Sequence, residues 1–362
     1  MAGQLATEAA NSNTTITLSF LTTQFPSLRT VSAMLNFAVI GTGWITDSFI
    51  ESAHATGAWK LVGVYSRKQE SASAFASKHG VTATYTSLEA LGAAADVHAV
   101  YIASPNSLHH AQAKAVLGAG KHVILEKPAT STVAEFEELH ALAREKGVFL
   151  IEANRHIQER NFKVLQESLA KLGPIYGASL NYASYSSRYN AVLAGETPNI
   201  FSLAFSGGCL VDLGVYPIAA AVALFGKPKA QSYSPVFIAT GADGGGFVRL
   251  QYEGFAVDIN QSKIYTSAAP SEVYGEKGTL IVNGVTDIDS VVFLDAKKKE
   301  KTQLAGEKAK LNLQEEAAEF ARIIGEKDAA AAKKLEEMSR IVLGITTDLR
   351  KQNGIVFDVE KN

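Results

Sequence analysis

At 362 residues the chain is longer than one compact core normally covers, so two domains are expected. With 47% hydrophobic and 19% charged residues, a net charge of −2 and no sustained basic stripe, the composition argues against a largely disordered chain and against nucleic-acid or membrane partners. A single cysteine, Cys209, excludes an intrachain disulfide and a thiolate metal cage; no metal site is expected, and a reducing, cytoplasmic location is.

Residues 1–33 are rich in Ser, Thr and Ala, with one Arg and one Glu, and lack the marks of a secretory signal or an organelle presequence. Met34 directly precedes the first strong strand. The folded unit is expected to start there, with 1–33 a disordered leader or an upstream extension. Short apolar runs then alternate with helical stretches. The runs are Phe37–Ile40, Leu61–Tyr65, Ala99–Ala103, Val123–Leu125 and Val148–Ile151, and the helices include Glu70–Lys78, His109–Leu117 and Val133–Glu145. This predicts βαβ units feeding a parallel sheet covered on both faces, a Rossmann dinucleotide-binding domain over 34–153 in an α/β fold.

From residue 154 the grammar changes. A helix near Phe162–Leu172 stops at Gly173-Pro174. Strands with period-two alternation follow at Tyr176–Tyr185, Gly246–Tyr252, Ala256–Tyr265, Glu272–Tyr274, Thr279–Val282 and Val291–Leu294, with helices only at Val215–Leu224, Gln314–Ile324 and Lys333–Arg350. The expectation is a C-terminal α+β domain, 154–362, with a large, open, mostly antiparallel sheet and helices on one face. Lys297–Lys299 beside Glu300 reads as a solvated hairpin tip. No apolar run reads as long enough to cross a bilayer.

Four stretches carry chemistry. In Val39-Ile40-Gly41-Thr42-Gly43-Trp44-Ile45-Thr46, Gly41 permits a tight turn and Gly43 lets the backbone approach a pyrophosphate at a helix N-terminus. Thr46 stands where Gly or Ala is usual. Such turns also simply join strands to helices, but the place of this one at the first βα unit favours a cofactor. The second strand ends in Tyr65-Ser66-Arg67-Lys68, with no acid until Glu70. An acid there would bond the ribose 2′-OH of NAD, whereas a hydroxyl and two cations suit a 2′-phosphate, so NADP is expected and NAD stays open. Glu126-Lys127-Pro128 follows a buried strand, where a lysine can bond a substrate oxygen and assist proton movement if its pKa is lowered. In the stretch Gly207–Pro217, Asp212 and Tyr216 are four apart and share a face if it opens a helix.

These stretches, with Ser104-Pro105-Asn106 and His109, occur in order and at separations that resemble the glucose-fructose oxidoreductase/inositol dehydrogenase/rhizopine-catabolism (Gfo/Idh/MocA) family, from Met34 to the end of the chain. Tyr274-Gly275-Glu276-Lys277-Gly278-Thr279 is similar to a strand-turn-strand of its second domain. The resemblance implies that Lys127 is the catalytic lysine, followed by an often cis proline, and that Asp212 orients the substrate. It places Tyr216 at the proton-relay position, which is histidine in the inositol dehydrogenase branch. It sets Ser104, Pro105, Asn106 and His109, with Glu126, near the nicotinamide, and lets Arg155 reach substrate. A homodimer or homotetramer formed through the second domain's sheet is implied as well.

The function expected is therefore hydride transfer between NAD(P) and a hydroxyl or carbonyl carbon of a sugar, polyol or vicinal diol. The alternatives are a dinucleotide-sensing regulator without turnover and an NAD-dependent glycosidase. Tyr216 acts in this scheme only if Lys127 lowers its pKa from about 10. Tyr182, Tyr185 and Tyr189 near Arg188 are candidates to line a polyol pocket, although strand aromatics more often pack a sheet face. Cys209 reads as a small buried hydrophobe.

Overall fold

The structure, a computed structural model, describes residues 34–361, so the leader lies outside the described residues. The first sheet is built from β1 (Leu35–Ile40), α1 (Trp44–Ala55), β2 (Trp59–Tyr65), α2 (Gln69–Lys78), β3 (Thr84–Tyr85), α3 (Leu88–Ala93), β4 (Ala99–Ile102), α4 (His109–Gly118), β5 (His122–Glu126), α5 (Val133–Lys146) and β6 (Leu150–Ala153). The strands are parallel in the order β3-β2-β1-β4-β5-β6. Alternate residues enter opposite cores. Phe37, Val39, Tyr101 and Ile124 share one with α1 and α2, while Ala38, Ile40, Val100 and Val123 share the other with α4 and α5. The strand order reverses between β1 and β4, the crevice where ligands bind in open α/β sheets.

The chain continues through α6 (Arg160–Ser168), β7 (Ile175–Ala183), α7 (Tyr189–Leu193), a π-helical turn at Leu210–Gly214 and α8 (Val215–Phe225). It then forms β8 (Ala230–Phe237), β9 (Asp243–Gln251), β10 (Ala256–Ser262), β11 (Ser271–Gly275), β12 (Gly278–Val282), β13 (Val291–Asp295) and β14 (Lys301–Gln303), and ends with α9 (Gln314–Glu326) and α10 (Ala329–Gln352). The second sheet has the order β14-β13-β12-β11-β7-β10-β9-β8. Its pairings are antiparallel except β7 with β10, which is parallel. Phe162, Leu180, Ile218, Leu250, Val257 and Ile345 form its core with α6, α8 and α10. Lys297–Lys299 does lie at the β13–β14 hairpin tip.

Two features depart from expectation. Helix α9 does not cover the second sheet; Ala317, Phe320 and Ile323 join Phe37, Phe49 and Trp59 in the first core, and the Trp59 indole N–H donates to the Ala317 carbonyl at 2.8 Å. The stretch Leu203–Phe225 is, contrary to the sequence reading, long and apolar enough to cross a membrane. It is instead the central helical segment of this fold, with Val215–Val222 buried throughout, and it is broken into 3₁₀, π and α turns.

Candidate active site

At the crevice, Gly41 has φ +108°, and a methyl group placed there would collide with the Ala103 carbonyl, so only glycine closes this turn. Gly43 caps α1 with extended backbone, and no side chain bonds to the helix's first amides. Thr42, Gly43 and Trp44 are exposed and Ile45 half-buried, while Thr46 is fully buried beneath them. A bare backbone cradle with free N–H groups fits a dinucleotide pyrophosphate. At the end of β2, Ser66 is half-buried and anchored by its N–H to the Tyr85 carbonyl, whereas Arg67 and Lys68 are exposed and pair with no carboxylate among the described residues.

The loop after β4 brings the next group together. Ser104 Oγ donates to Gln112 Oε1 at 2.7 Å, and Asn106 Nδ2 donates to the Ser206 carbonyl at 3.0 Å. Ser206 is a node that the sequence did not reveal. It holds left-handed backbone (φ 55°), is fully buried, and shares a hydrogen bond of 2.6 Å with Ser131 Oγ beyond the Lys127-Pro128 turn. His109 lies between the loops after β4 and β5. It is 1% exposed, and its ring nitrogens lie 2.9 Å from the Ser104 carbonyl and 3.0 Å from that of Pro128. Burial holds the imidazole below its ordinary pKa. Through these two carbonyls His109 ties the loop after β4 to the loop after β5.

Glu126 ends β5 and accepts from the Tyr101 hydroxyl at 2.6 Å; burial raises its carboxyl pKa. The Lys127-Pro128 peptide is cis. Lys127 Nζ donates to Asp212 at the backbone carbonyl (2.8 Å) and Oδ1 (3.1 Å), and lies 4.6 Å from the Tyr216 ring centroid. Asp212 and Tyr216 thus meet at one lysine, as expected, though Asp212 sits in the π turn and Tyr216 in the first turn of α8. Pro105, Asn106, Asn199, Ile200, Phe205 and Asp212 line a cleft of about 170 Å³ beside them.

The charge states differ from the sequence reading. Burial alone would push the Lys127 ammonium down, but Asp212, Tyr216 and Glu126 outweigh it and its pKa rises. Burial likewise opposes ionisation of Asp212, yet Lys127 and Lys263 hold its carboxyl at about 2. For Tyr216 burial prevails over Lys127, and the phenol moves up, contrary to the expected fall. Lysine here is a fixed cation and the tyrosine a protonated acid.

Arg155 is committed elsewhere. Its guanidinium holds Asp287 through two bonds of 2.9 and 2.6 Å and Glu159 at 3.4 Å, and reaches the cluster as a cation 5.9 Å from the Tyr216 ring. His156 packs on the same ring at 5.1 Å, and burial, with Arg155 beside it, pushes its pKa down to about 3. Of the tyrosines, Tyr182 stacks edge-on against Tyr216 at 5.3 Å, while Tyr185 is exposed and donates to Asn190 Oδ1 at 2.7 Å. Cys209 is fully buried. Sequence reasoning missed Lys263, which donates to Asp212 Oδ2 from the end of β10.

Comparison with known proteins bears on the fold and the family. Residues 35–153 match the model described as an oxidoreductase family with an NAD-binding Rossmann fold, and 169–281 match the GFO/IDH/MocA C-terminal domain. The Escherichia coli oxidoreductase YgjR is 39% identical over 90% of this chain and 99% of its own length. The Bacillus subtilis scyllo-inositol 2-dehydrogenase (NADP(+)) IolU is 39% identical over 91% of this chain and 100% of its own. KijD10, a 3-ketoreductase from Actinomadura kijaniata solved with NADP, superposes with a TM-score of 0.72 at 22% identity, covering 88% of this chain and 97% of its own, and so shares the fold. A glycine cradle at the β1–β4 crevice, a lysine–aspartate–tyrosine cluster beside it and these two domain matches have one common explanation: the chain belongs to the GFO/IDH/MocA family of NAD(P)-dependent oxidoreductases.

Proposed function

We propose that the protein is an NADP-dependent dehydrogenase or reductase acting on a ring hydroxyl, or the matching carbonyl, of a sugar, cyclic polyol or vicinal diol. The observation that carries this reading is the Lys127–Asp212–Tyr216 cluster at the end of β5, beside an open glycine turn. The relative named for scyllo-inositol and NADP(+) supports it, as does a rabbit trans-1,2-dihydrobenzene-1,2-diol dehydrogenase, 32% identical over 60% of this chain and 65% of its own. Both names describe hydroxyls on a six-membered carbon ring.

Gly41, Thr42, Gly43, Trp44 and Ile45 hold the pyrophosphate, Ser66, Arg67 and Lys68 the 2′-phosphate, and Ser104, Pro105, Asn106, Glu126 and Lys127 the nicotinamide side. The nicotinamide, when bound, exchanges a hydride with the substrate carbon. Lys127 keeps one N–H beyond the two given to Asp212 and directs it at the substrate oxygen, where negative charge develops. The Tyr216 hydroxyl donates to no group among the described residues, so it is free to give its proton to that oxygen. A protonated phenol beside a fixed cation favours reduction at neutral pH, with the reverse reaction gaining as pH rises.

In this reading residues 34–153 bind the dinucleotide and 154–362 bind substrate and a second copy of the chain. Phe247 and Phe237, 60% and 53% exposed on the second sheet, support pairing into a homodimer or homotetramer. The buried Cys209 thiol is compatible with a cytoplasmic setting. The test is titration with NADPH against NADH, followed by turnover on a polyol and diol panel. Tyr216→Phe should lower kcat by about 10²–10⁴-fold with NADPH affinity intact. Full turnover by Tyr216→Phe on a proven substrate would remove the proton-donor assignment.

A further inference from the structure

Lys263 directly follows β10, the partner of β7 in the one parallel pairing of the second sheet, so the two strands leave that sheet at the same edge. Its backbone is fixed there: its N–H donates to the Gly244 carbonyl at 2.8 Å, and its carbonyl accepts from Ser186 at 2.9 Å. The ammonium is thereby aimed at Asp212 Oδ2, while Oδ1 and the backbone carbonyl of the same residue take Lys127. Each carboxylate oxygen has its own lysine.

The two cations are not equivalent. Lys127 lies over the Tyr216 ring, whereas the Lys263 side chain is 5% exposed, lies 5.5 Å from the Phe201 ring centroid and does not line the cleft that Asp212 lines. Two buried ammonium groups converge on one carboxylate, and Glu126 beside Lys127 is itself pushed toward its neutral form by burial, a costly arrangement in a protein interior.

We propose that Lys263 is a positioning residue of the active centre: from behind Asp212, out of a substrate's reach, it keeps that carboxylate ionised and turned toward Lys127, so that Lys127 stays charged with one N–H left for the substrate oxygen. This rests on the catalytic reading of Lys127 and Asp212. The charged and titratable groups around Asp212 are Lys127 after β5, Lys263 after β10 and Cys209 just before the π turn. Tyr216 and Glu126 lie against Lys127, and Asp243 on β9 lies beyond Cys209. Of these, the two lysines favour the ionised carboxylate and burial opposes it. With an uncharged side chain in place of Lys263, burial meets only one cation.

The test compares Lys263→Met and Lys263→Arg in the full-length protein. Carbon-13 carboxyl NMR follows the titration of Asp212 without cofactor, its resonance assigned by its loss in Asp212→Asn, and kcat and KM are measured with NADPH at pH 7. In Lys263→Met the Asp212 titration should move up from about 2 by roughly one pH unit or more. At pH 7 kcat should fall by roughly tenfold or more as Lys127 loses its alignment, while the NADPH dissociation constant stays unchanged. Lys263→Arg should restore both. If Lys263→Met does not fold, Lys263→Gln, which retains hydrogen bonding without the charge, makes the same comparison. An Asp212 titration and a kcat both unmoved in a folded neutral variant overturn the proposal. Failure of the underlying reading looks different: Lys127→Ala and Asp212→Asn then keep full turnover while the NMR shift in Lys263→Met persists.

Discussion

Replacing Asp212 by asparagine removes the one anion that two buried lysines share; the Lys127 and Lys263 side chains are 10% and 5% exposed and that of Asp212 is 19% exposed. The carboxyl is held at about 2, against 3.8 in an unstructured chain. At about 1.4 kcal/mol per pKa unit, that displacement contributes roughly 2–3 kcal/mol to folding at neutral pH. The figure lies just below the ~3–5 kcal/mol typical of breaking a buried pair from one side. Asp212→Asn should therefore unfold in urea at a midpoint about 1 M lower at pH 7, for a slope of about 3 kcal/mol/M. Because the folded pKa is the lower one, the contribution is complete above 3.8 and fades as pH falls through about 2. The gap between wild type and variant should narrow over that interval and be steady from pH 5 to 8. Equal midpoints at pH 7, or a gap undiminished at the acid end, would refute the assignment of Asp212 as the buried counter-ion.

The glycine turn separates strain from cofactor approach. Gly41→Ala meets both a positive φ and the Ala103 carbonyl and should lose about 1–3 kcal/mol of stability, whereas a methyl group at Gly43 meets nothing within 4 Å. Gly43→Ala should keep wild-type stability and weaken NADPH binding by about tenfold or more, and unchanged affinity by fluorescence titration would count against the pyrophosphate cradle. Glu316 is 1% exposed with no partner on either carboxyl oxygen, and burial raises its pKa well above the ordinary value of 4.5. Its favourable contribution is present below 4.5 and is lost as pH rises through the folded value. Glu316→Gln should match wild type at pH 4 and exceed it by about 1–3 kcal/mol at pH 8; a difference that does not vary with pH would contradict this.

Much of the fold was legible because each local pattern agreed with its neighbours. The apolar runs became β1, β2, β4, β5 and β6, and the period-two stretches became β7 and β9–β13. The two-residue β3, the exposed β14 and the half-exposed β8 carry too little pattern to be read. An amphipathic helix shows that it has an apolar face but not which surface that face meets, so α9 was assigned to the wrong sheet. In the site, Lys127, Asp212 and Tyr216 stood out through motif and spacing. Lys263 did not, because it fell within the strand expected over Ala256–Tyr265, where alternation shows which residues share a face but not that a lysine among them meets Asp212. The direction of the Tyr216 pKa was misjudged for a related reason: sequence names the neighbouring cation, but only the fold shows how fully the phenol is buried.

The packing of α9 bears on how the protein is made. A fragment ending at Ala153 would retain every group proposed to cradle the dinucleotide, yet Phe37, Phe49 and Trp59 would lack the cover supplied by Ala317, Phe320 and Ile323. During synthesis that apolar face waits for the last fifty or so residues of the chain, a stretch in which it is open to solvent, to chaperones and to other nascent chains. Residues 314–326 are therefore as much a part of the nucleotide half as its own strands, and a truncation that removes them should be felt at the opposite end of the sequence.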